Sequence, residues 1–119
     1  MNEVNDFVYP EGIRKLKSGK YEVASVVFCA RELLLTAGTE RIELQYQTGR
    51  LLSLFLESED CFVTREEIFD HLWKEEKLDK KTRNDRLNTT IKRLREALAV
   101  DPDIHIDCRF KRGYYLRVR

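Results

Sequence analysis

A stripe of aliphatic residues runs at helical spacing through the stretch Thr82 to Leu98. Its members, Leu87, Ile91, Leu94 and Leu98, recur at i, i+4, i+7 and i+11 and predict one amphipathic helix. The opposite face carries Thr82, Asp85, Arg86, Thr89, Lys92, Arg93 and Glu96. Side chains of these types hydrogen-bond DNA phosphates and base edges. A charged outer face is also the norm for a solvated surface helix, so the flanking elements decide between the two interpretations.

Three short β-prone runs precede the helical part of the chain. They cover residues 26–28, 33–35 and 41–44 and predict a small antiparallel meander. Gly38 suits a turn position with positive φ. Residues 1–22 are polar and lack a sustained period, so we interpret them as a lead-in or linker before a folded domain at residues 23–119. A short helix at Gly12–Lys17 is one option within that lead-in.

Two further helices are predicted between these strands and the long helix. The first covers residues 47–58 and is apolar over a wide arc. The second begins at Thr64, whose spacing to Glu67 is that of a capping box, and ends near Lys74. Residues 75–81 then form a charged loop without apolar anchors.

The C-terminal part predicts a β-hairpin. Proline cannot continue a helix, so the long helix ends before Asp101–Pro102. Residues 104–107 alternate in polarity, residues 114–118 form a returning strand, and residues 108–113 are a basic turn. The predicted fold class is therefore α+β, with an N-terminal antiparallel β-sheet, three helices and a C-terminal β-hairpin.

Charge is distributed unevenly along the chain. The 119 residues are 42% hydrophobic and 36% charged, with a net charge of only +1. Residues 1–79 hold 10 basic and 16 acidic residues, a net of −6, whereas residues 80–119 hold 12 basic and 5 acidic residues, a net of +7. This segregation favours a surface that binds anions on one side, although chance alone produces similar segregation in some small domains.

Several classes of protein are disfavoured. The N-terminus lacks a signal-peptide pattern and no apolar stretch is long enough to span a membrane, so we expect no membrane contact by this segment. Cys29, Cys61 and Cys108 are odd in number and widely spaced, which favours a cytoplasmic location and free thiols packed as small hydrophobes. No metal motif, phosphate loop or nucleophile elbow is present, so we expect no metal, no cofactor and no catalytic residues.

The order of elements is typical of a winged helix-turn-helix. In such a pair the second helix enters the DNA major groove, and a basic hairpin can reach phosphates or the adjacent minor groove. The leading hypothesis is sequence-specific binding of double-stranded DNA, with helix 82–98 in the major groove and wing 108–113 beside it. The alternative is a winged helix that binds an acidic protein partner and no DNA.

Particular segments resemble the OmpR/PhoB-type DNA-binding domains. Val63–Thr64–Arg65–Glu66 with Leu72–Trp73 is similar to their "V-S-R-E … L-W" segment, and Ile91–Leu98 to the end of their recognition helix. Asp101–Pro102 stands where these domains often have "D-P". Lys111–Arg112–Gly113–Tyr114 resembles the wing of CadC/ToxR-like members. The resemblance covers roughly residues 23–118.

The resemblance implies a bacterial transcription factor with a four-stranded N-terminal sheet, whose fourth strand comes from Phe62–Val63 or from the start of the segment. It implies binding to direct or imperfect repeats, with a possible head-to-tail dimer on DNA, and contact between the loop before the recognition helix and RNA polymerase or a neighbouring protomer. The sensor or receiver domain would lie outside this segment.

Two segments depart from the family's pattern. Gly49 stands where these domains usually have a bulky apolar residue, which predicts a late start or looser packing of the first helix. Lys74–Lys77 replaces an "L-W-G" exit with charge.

Twelve residues are candidates for DNA contact. They are Thr64, Arg65, Arg83, Asn84, Arg86, Asn88, Thr89, Lys92, Arg93, Arg109, Lys111 and Arg112. We expect Arg86 to read guanine, Thr89 to contact a thymine methyl or a phosphate, and Lys92 with Arg93 to bind phosphates. Each Arg or Lys also has the simpler interpretation of a solvated surface charge.

Overall fold

A computed structural model describes residues 8–119 and begins with a five-stranded antiparallel sheet. Neighbours in the chain are neighbours in the sheet, so it is a simple meander. Its strands are β1 (Ile13–Lys15), β2 (Tyr21–Val23), β3 (Val26–Cys29), β4 (Leu34–Ala37) and β5 (Glu40–Glu43). The three predicted strands are confirmed as β3 to β5, and Gly38 has the expected positive φ of +62° between the last two.

The sheet begins earlier than its sequence pattern predicts. Strands β1 and β2 lie within the predicted lead-in, of which residues 1–7 are outside the described residues. The option of a helix at Gly12–Lys17 is wrong, because Ile13–Lys15 pairs with β2. The start of the segment, and not Phe62–Val63, therefore extends the sheet.

Three helices pack beside the sheet. They are α1 (Tyr46–Leu56), α2 (Arg65–Trp73) and α3 (Lys80–Leu98). A short 3-10 helix (Glu59–Cys61) and strand β6 (Phe62–Thr64) connect α1 to α2. The predicted stripe on α3 is confirmed, since Leu87, Ile91, Leu94 and Leu98 are all buried.

The C-terminal hairpin belongs to a second sheet. Strands β7 (Ile104–Arg109) and β8 (Gly113–Val118) form the hairpin, and β8 also pairs with β6, giving the order β6-β8-β7. The hairpin is thus attached to the segment that leads directly into α2. Its turn is shorter than predicted, because Cys108 and Arg109 still belong to β7.

The start of α3 differs from the sequence prediction. The pattern begins this helix at Thr82, but α3 begins at Lys80 with Asp79 as its N-cap. Asp79 Oδ1 accepts a hydrogen bond of 2.8 Å from the Thr82 backbone N–H. The loop before α3 also has an apolar anchor, since Leu78 packs partly buried against the core.

The expectation of a late start or loose packing at Gly49 is wrong. Gly49 is a buried residue within α1, which begins at Tyr46. An added Cβ at Gly49 would lie 2.5 Å from Leu33 Cδ2, so the missing side chain lets Leu33 pack directly on the helix. Glycine here tightens the contact between the sheet and α1.

The cysteines are not equally buried. Cys61 lies in the core, and burial raises the pKa of its thiol to about 12. Cys108 is exposed on β7, so the prediction of packed thiols is wrong for that residue.

Within residues 8–119, no helix is long and apolar enough to cross a bilayer. Among these same residues, no group of His, Cys, Asp and Glu is placed to hold a metal ion.

Candidate nucleic-acid interface

The N-terminus of α2 is held by the predicted capping box. Thr64 Oγ1 accepts a hydrogen bond of 3.0 Å from the Glu67 N–H, and the Thr64 N–H donates one of 2.8 Å to Glu67 Oε1. Together the two hydrogen bonds satisfy two backbone N–H groups at the start of the helix, as a capping box requires. The cap fixes the position of Arg65, the first residue of α2.

Arg65 joins the start of α2 to the start of α3. Its Nη2 donates a hydrogen bond of 2.7 Å to Asn84 Oδ1. One residue earlier in α3, the Arg83 guanidinium lies 4.1 Å from the centre of the Phe69 ring and 3.8 Å from Glu66 Oε2. The structure therefore brings Thr64, Arg65 and these two α3 candidates together on one side of the helix pair.

The other flank of α3 faces the start of α1. Arg86 Nη1 forms a 2.7 Å ion pair with Glu76 Oε1 in the loop before α3. Arg93 Nη1 donates a hydrogen bond of 3.0 Å to Gln45 Oε1, the N-cap residue of α1. Arg86, Thr89 and Arg93 line an open cavity of about 470 Å³ together with Tyr46 and Trp73.

The remaining helix candidates lie on the open face of α3. Asn88, Thr89 and Lys92 are exposed, as is Arg93. Thr90 directly follows Thr89 but is buried, and its hydroxyl donates a hydrogen bond of 2.8 Å to the Arg86 carbonyl oxygen. The predicted division of α3 into an apolar inner face and a polar outer face is therefore confirmed.

The hairpin is fixed against the N-terminus of α2. The Arg65 N–H donates a hydrogen bond of 3.3 Å to the Arg112 carbonyl oxygen. Gly113 pairs with Thr64, and a Cβ added to Gly113 would lie 2.0 Å from the Val63 carbonyl oxygen. Only glycine allows β8 to approach β6 this closely.

The cations of the wing do not all point towards its tip. The Arg109 guanidinium lies 5.7 Å from the centre of the Tyr115 ring, back along the hairpin. Lys111 Nζ lies 5.5 Å from the centre of the Phe110 ring, and Arg112 is exposed. Lys111 and Arg112 are the candidates that the turn itself presents.

Sequence reasoning missed residues whose roles depend on tertiary contacts. Arg95 donates hydrogen bonds of 3.1 and 2.7 Å to the Ile106 carbonyl oxygen and so joins α3 to β7. Gln45 and Tyr46 adjoin the outer flank of α3, and Phe110 is exposed at the wing tip. Of these residues, only Phe110 could have been found from the sequence, because it is an aromatic residue inside a basic turn.

One carboxylate stabilises the start of α3. The pKa of Asp79 lies below its usual range because the Thr82 backbone N–H, and then the Thr82 side chain, hydrogen-bond to it. An anion at the N-terminus of a helix is also favoured by the helix dipole. Asp79 therefore acts as a charged cap for the helix that carries most of the candidates.

Residues 38–116 match the family described as "Transcriptional regulatory protein, C terminal". The chain belongs to this family. The match confirms the resemblance to OmpR/PhoB-type domains, and with it a DNA-binding role in the regulation of transcription. No curated protein sequence gives a significant match to the chain.

Solved structures of similar fold agree with this family. The C-terminal domain of the nisin resistance regulator NsrR, a lantibiotic response regulator, is 26% identical, with a TM-score of 0.59 over 77% of this chain and 90% of that one. The DNA-binding domain of Escherichia coli CadC is 21% identical, with a TM-score of 0.60 over 80% of this chain and 88% of that one. The DNA-binding domain of Bacillus subtilis CssR is 18% identical, with a TM-score of 0.56 over 87% and 98%. The last two show the fold alone, and that fold is the predicted winged helix.

Proposed function

We propose that α3 enters the major groove of duplex DNA while the wing lies on the adjacent minor groove or backbone. The observation that carries this proposal is the double link made by Arg65. Its side chain contacts Asn84 on α3, and its backbone N–H contacts Arg112 in the wing. Two basic elements that are separate in the chain thus form one surface, as a groove-binding helix and wing require.

We assign the candidates to groups with different roles. The exposed Lys92 and Arg93 bind phosphates and set the register of the helix. Arg86 reads a guanine edge with its two-pronged guanidinium after exchanging Glu76 for DNA. Thr64 and Arg65 approach the DNA backbone through the N-terminus of α2.

The wing residues serve the adjacent groove. Lys111 and Arg112 lie in or beside the turn and bind phosphates or enter the minor groove, where the negative potential favours cations. Arg109 acts from the side of the hairpin, since its guanidinium lies over Tyr115. A binding role without catalysis fits this arrangement of cations.

The wider assembly is also part of the proposal. The domain works in the cytoplasm on repeated DNA sites, as a head-to-tail dimer and in contact with RNA polymerase, under control of a sensor or receiver domain elsewhere. Because β1 and β2 join the sheet, we place the start of the folded domain before Ile13 and earlier than residue 23.

The test begins with selection of a preferred duplex from a random pool, followed by fluorescence titration. Arg86→Ala should cost about 1–3 kcal/mol on the selected duplex and relax preference at one base pair. The matched control is Arg14→Ala, because Arg14 on β1 forms a similar ion pair of 2.6 Å with Glu22 on β2, in the N-terminal sheet. Loss of preference in both variants, or in neither, would refute the role of Arg86.

Salt dependence separates phosphate contacts from base contacts. Lys92→Ala should weaken binding to all duplexes similarly and lower the slope of log K against log salt by about one. Lys17→Ala removes an exposed lysine from the β1–β2 turn and should leave the slope unchanged. If the wild-type domain shows no saturable binding at low salt, the alternative of a protein-interaction module replaces DNA binding.

A further inference from the structure

Phe110 is the most exposed large hydrophobic side chain in residues 8–119. Its exposed fraction is 81%, and it lies in the turn of the wing between Arg109 and Lys111. A single exposed hydrophobic residue is common on protein surfaces and needs no special role. The position of Phe110, however, is set by several independent features.

The turn itself directs Phe110 outward. The Arg112 N–H donates a hydrogen bond of 2.8 Å to the Arg109 carbonyl oxygen and so closes a four-residue turn. Lys111 has a φ of +58°, a left-handed conformation of the kind that tight hairpin turns adopt.

The two neighbouring cations lie beside the Phe110 ring, and the ring itself occupies the tip of the wing. The Arg109 guanidinium is drawn back over Tyr115 at 5.7 Å, away from the tip. Lys111 Nζ stays 5.5 Å from the centre of the Phe110 ring. The tip therefore presents an apolar ring bordered by positive charge.

The base of the wing is rigidly attached. Strand β8 pairs with both β6 and β7, and Gly113 packs against the backbone of Val63. Arg95 ties α3 to β7 through the Ile106 carbonyl oxygen. These contacts fix the position of the wing strands relative to α3, and so determine where the turn that carries Phe110 lies.

We infer that Phe110 is an apolar wedge that enters the DNA minor groove and partly unstacks one base step. The inference rests on the proposed function, since it requires α3 to lie in the neighbouring major groove. Minor-groove proteins insert Phe, Leu, Ile, Met or Pro between base steps while nearby cations bind the backbone. The wing tip combines these two features. The wedge would bend the duplex and favour flexible pyrimidine–purine steps at that position.

The test uses the selected duplex with 2-aminopurine placed in turn at each position beside the α3 site. Wild-type protein should raise the 2-aminopurine fluorescence at one step, because unstacking relieves quenching. Phe110→Ala should abolish this signal, reduce the bend in a gel assay and weaken affinity about ten-fold. Phe110→Leu should retain most of the signal, since leucine is also an effective wedge.

Two comparisons keep the outcome clear. Val100→Ala alters another exposed apolar residue, beyond the C-terminus of α3, and should change none of these readouts. Thermal denaturation should show that Phe110→Ala is folded, as expected for a side chain that is 81% exposed. If Phe110→Ala keeps wild-type affinity, bend and fluorescence, the wedge is refuted while DNA binding stands. Failure of the proposed function is distinct, because the wild-type domain would then bind no duplex.

Discussion

Arg86 already has a partner in the protein. Its guanidinium lies 2.7 Å from Glu76 Oε1, and both side chains are partly exposed, at 41% and 45%. An arginine cannot donate the same N–H to a carboxylate and to guanine. Under the proposed function, Glu76 would therefore compete with DNA for Arg86, and the competition would be weak because exposed ion pairs contribute little.

Glu76→Gln should raise affinity for the selected duplex by up to about five-fold. The physical reason is that Arg86 no longer has to leave a charged partner. The measurement is a titration of each variant with the selected duplex. Glu75→Gln is the control, because Glu75 is an exposed neighbour whose replacement removes the same charge. Equal gains from the two variants would mean that bulk charge, and not the ion pair, controls affinity.

At the scale of elements, one residue, Gly113, positions the whole wing. Gly113 begins β8 and lies against the backbone of Val63, where a Cβ would approach the carbonyl oxygen to 2.0 Å. Backbone atoms paired in a sheet cannot move aside as the end of a flexible side chain can. The link from β6 to the wing, and from there to the start of α2, depends on this contact.

Gly113→Ala should lower the free energy of unfolding by about 3 kcal/mol, because the added methyl group overpacks the β6–β8 contact. Urea denaturation measures the change. Gly19→Ala is the control: it has positive φ but nothing within 4 Å of the new Cβ, so it should cost only about 1 kcal/mol. Similar losses in both variants would mean that the close approach of β6 and β8 costs no more than an ordinary strained alanine, which would contradict the requirement for glycine at 113.

The helices show where sequence patterns succeed at this scale. The Thr64–Glu67 capping box and the aliphatic stripe of α3 were predictable, because both depend on spacing within one helix. The cap of α3 was not, since Asp79 and Thr82 both have side chains suited to an N-cap. Packing of Leu78 against the core accompanies the earlier start.

At the scale of the whole molecule, one carboxylate links the N-terminal sheet to the turn after α3. Asp101 is buried, and its Oδ2 accepts hydrogen bonds of 2.5 Å from Ser25 Oγ and 3.0 Å from the Ser25 N–H. The Asp103 N–H donates to Oδ1 at 2.9 Å. The Ser25 hydroxyl, then the Asp103 and Ser25 backbone N–H groups, hold the pKa of Asp101 below its ordinary value of 3.8.

This lowered pKa predicts a pH-dependent contribution to folding stability. The contribution is fully present above pH 3.8 and is lost as the pH falls through the lower folded-state value, because the protonated carboxyl binds these donors less well. Asp101→Asn should therefore destabilise the protein at neutral pH, and its difference from wild type should shrink in acid. Urea denaturation across this pH range is the measurement.

Asp103→Asn is the control for the preceding experiment, because Asp103 is exposed and its carboxylate lies 3.8 Å from Arg119. It should leave the stability difference nearly constant with pH. A constant difference for Asp101→Asn as well would mean that the charge of Asp101 adds nothing to its hydrogen bonds with Ser25.

The sequence by itself determined most of the elements and the faces that they bury, because helical and strand periods, caps and turn residues act over a few positions. It also indicated where positive charge accumulates. It missed β1 and β2, since strands of three residues carry too short a period to recognise. Strand β2 pairs with β3 and β1 pairs with β2, and this pairing forms only in the folded chain.

Only the tertiary structure decided which outward side chains share a surface. Arg65 and Asn84 are 19 residues apart, Arg86 and Glu76 are 10 apart, and Arg95 and Ile106 are 11 apart. No period along one element encodes such pairs, because each depends on how two elements dock. The same docking sets the wing beside α2 and leaves Phe110 at its tip.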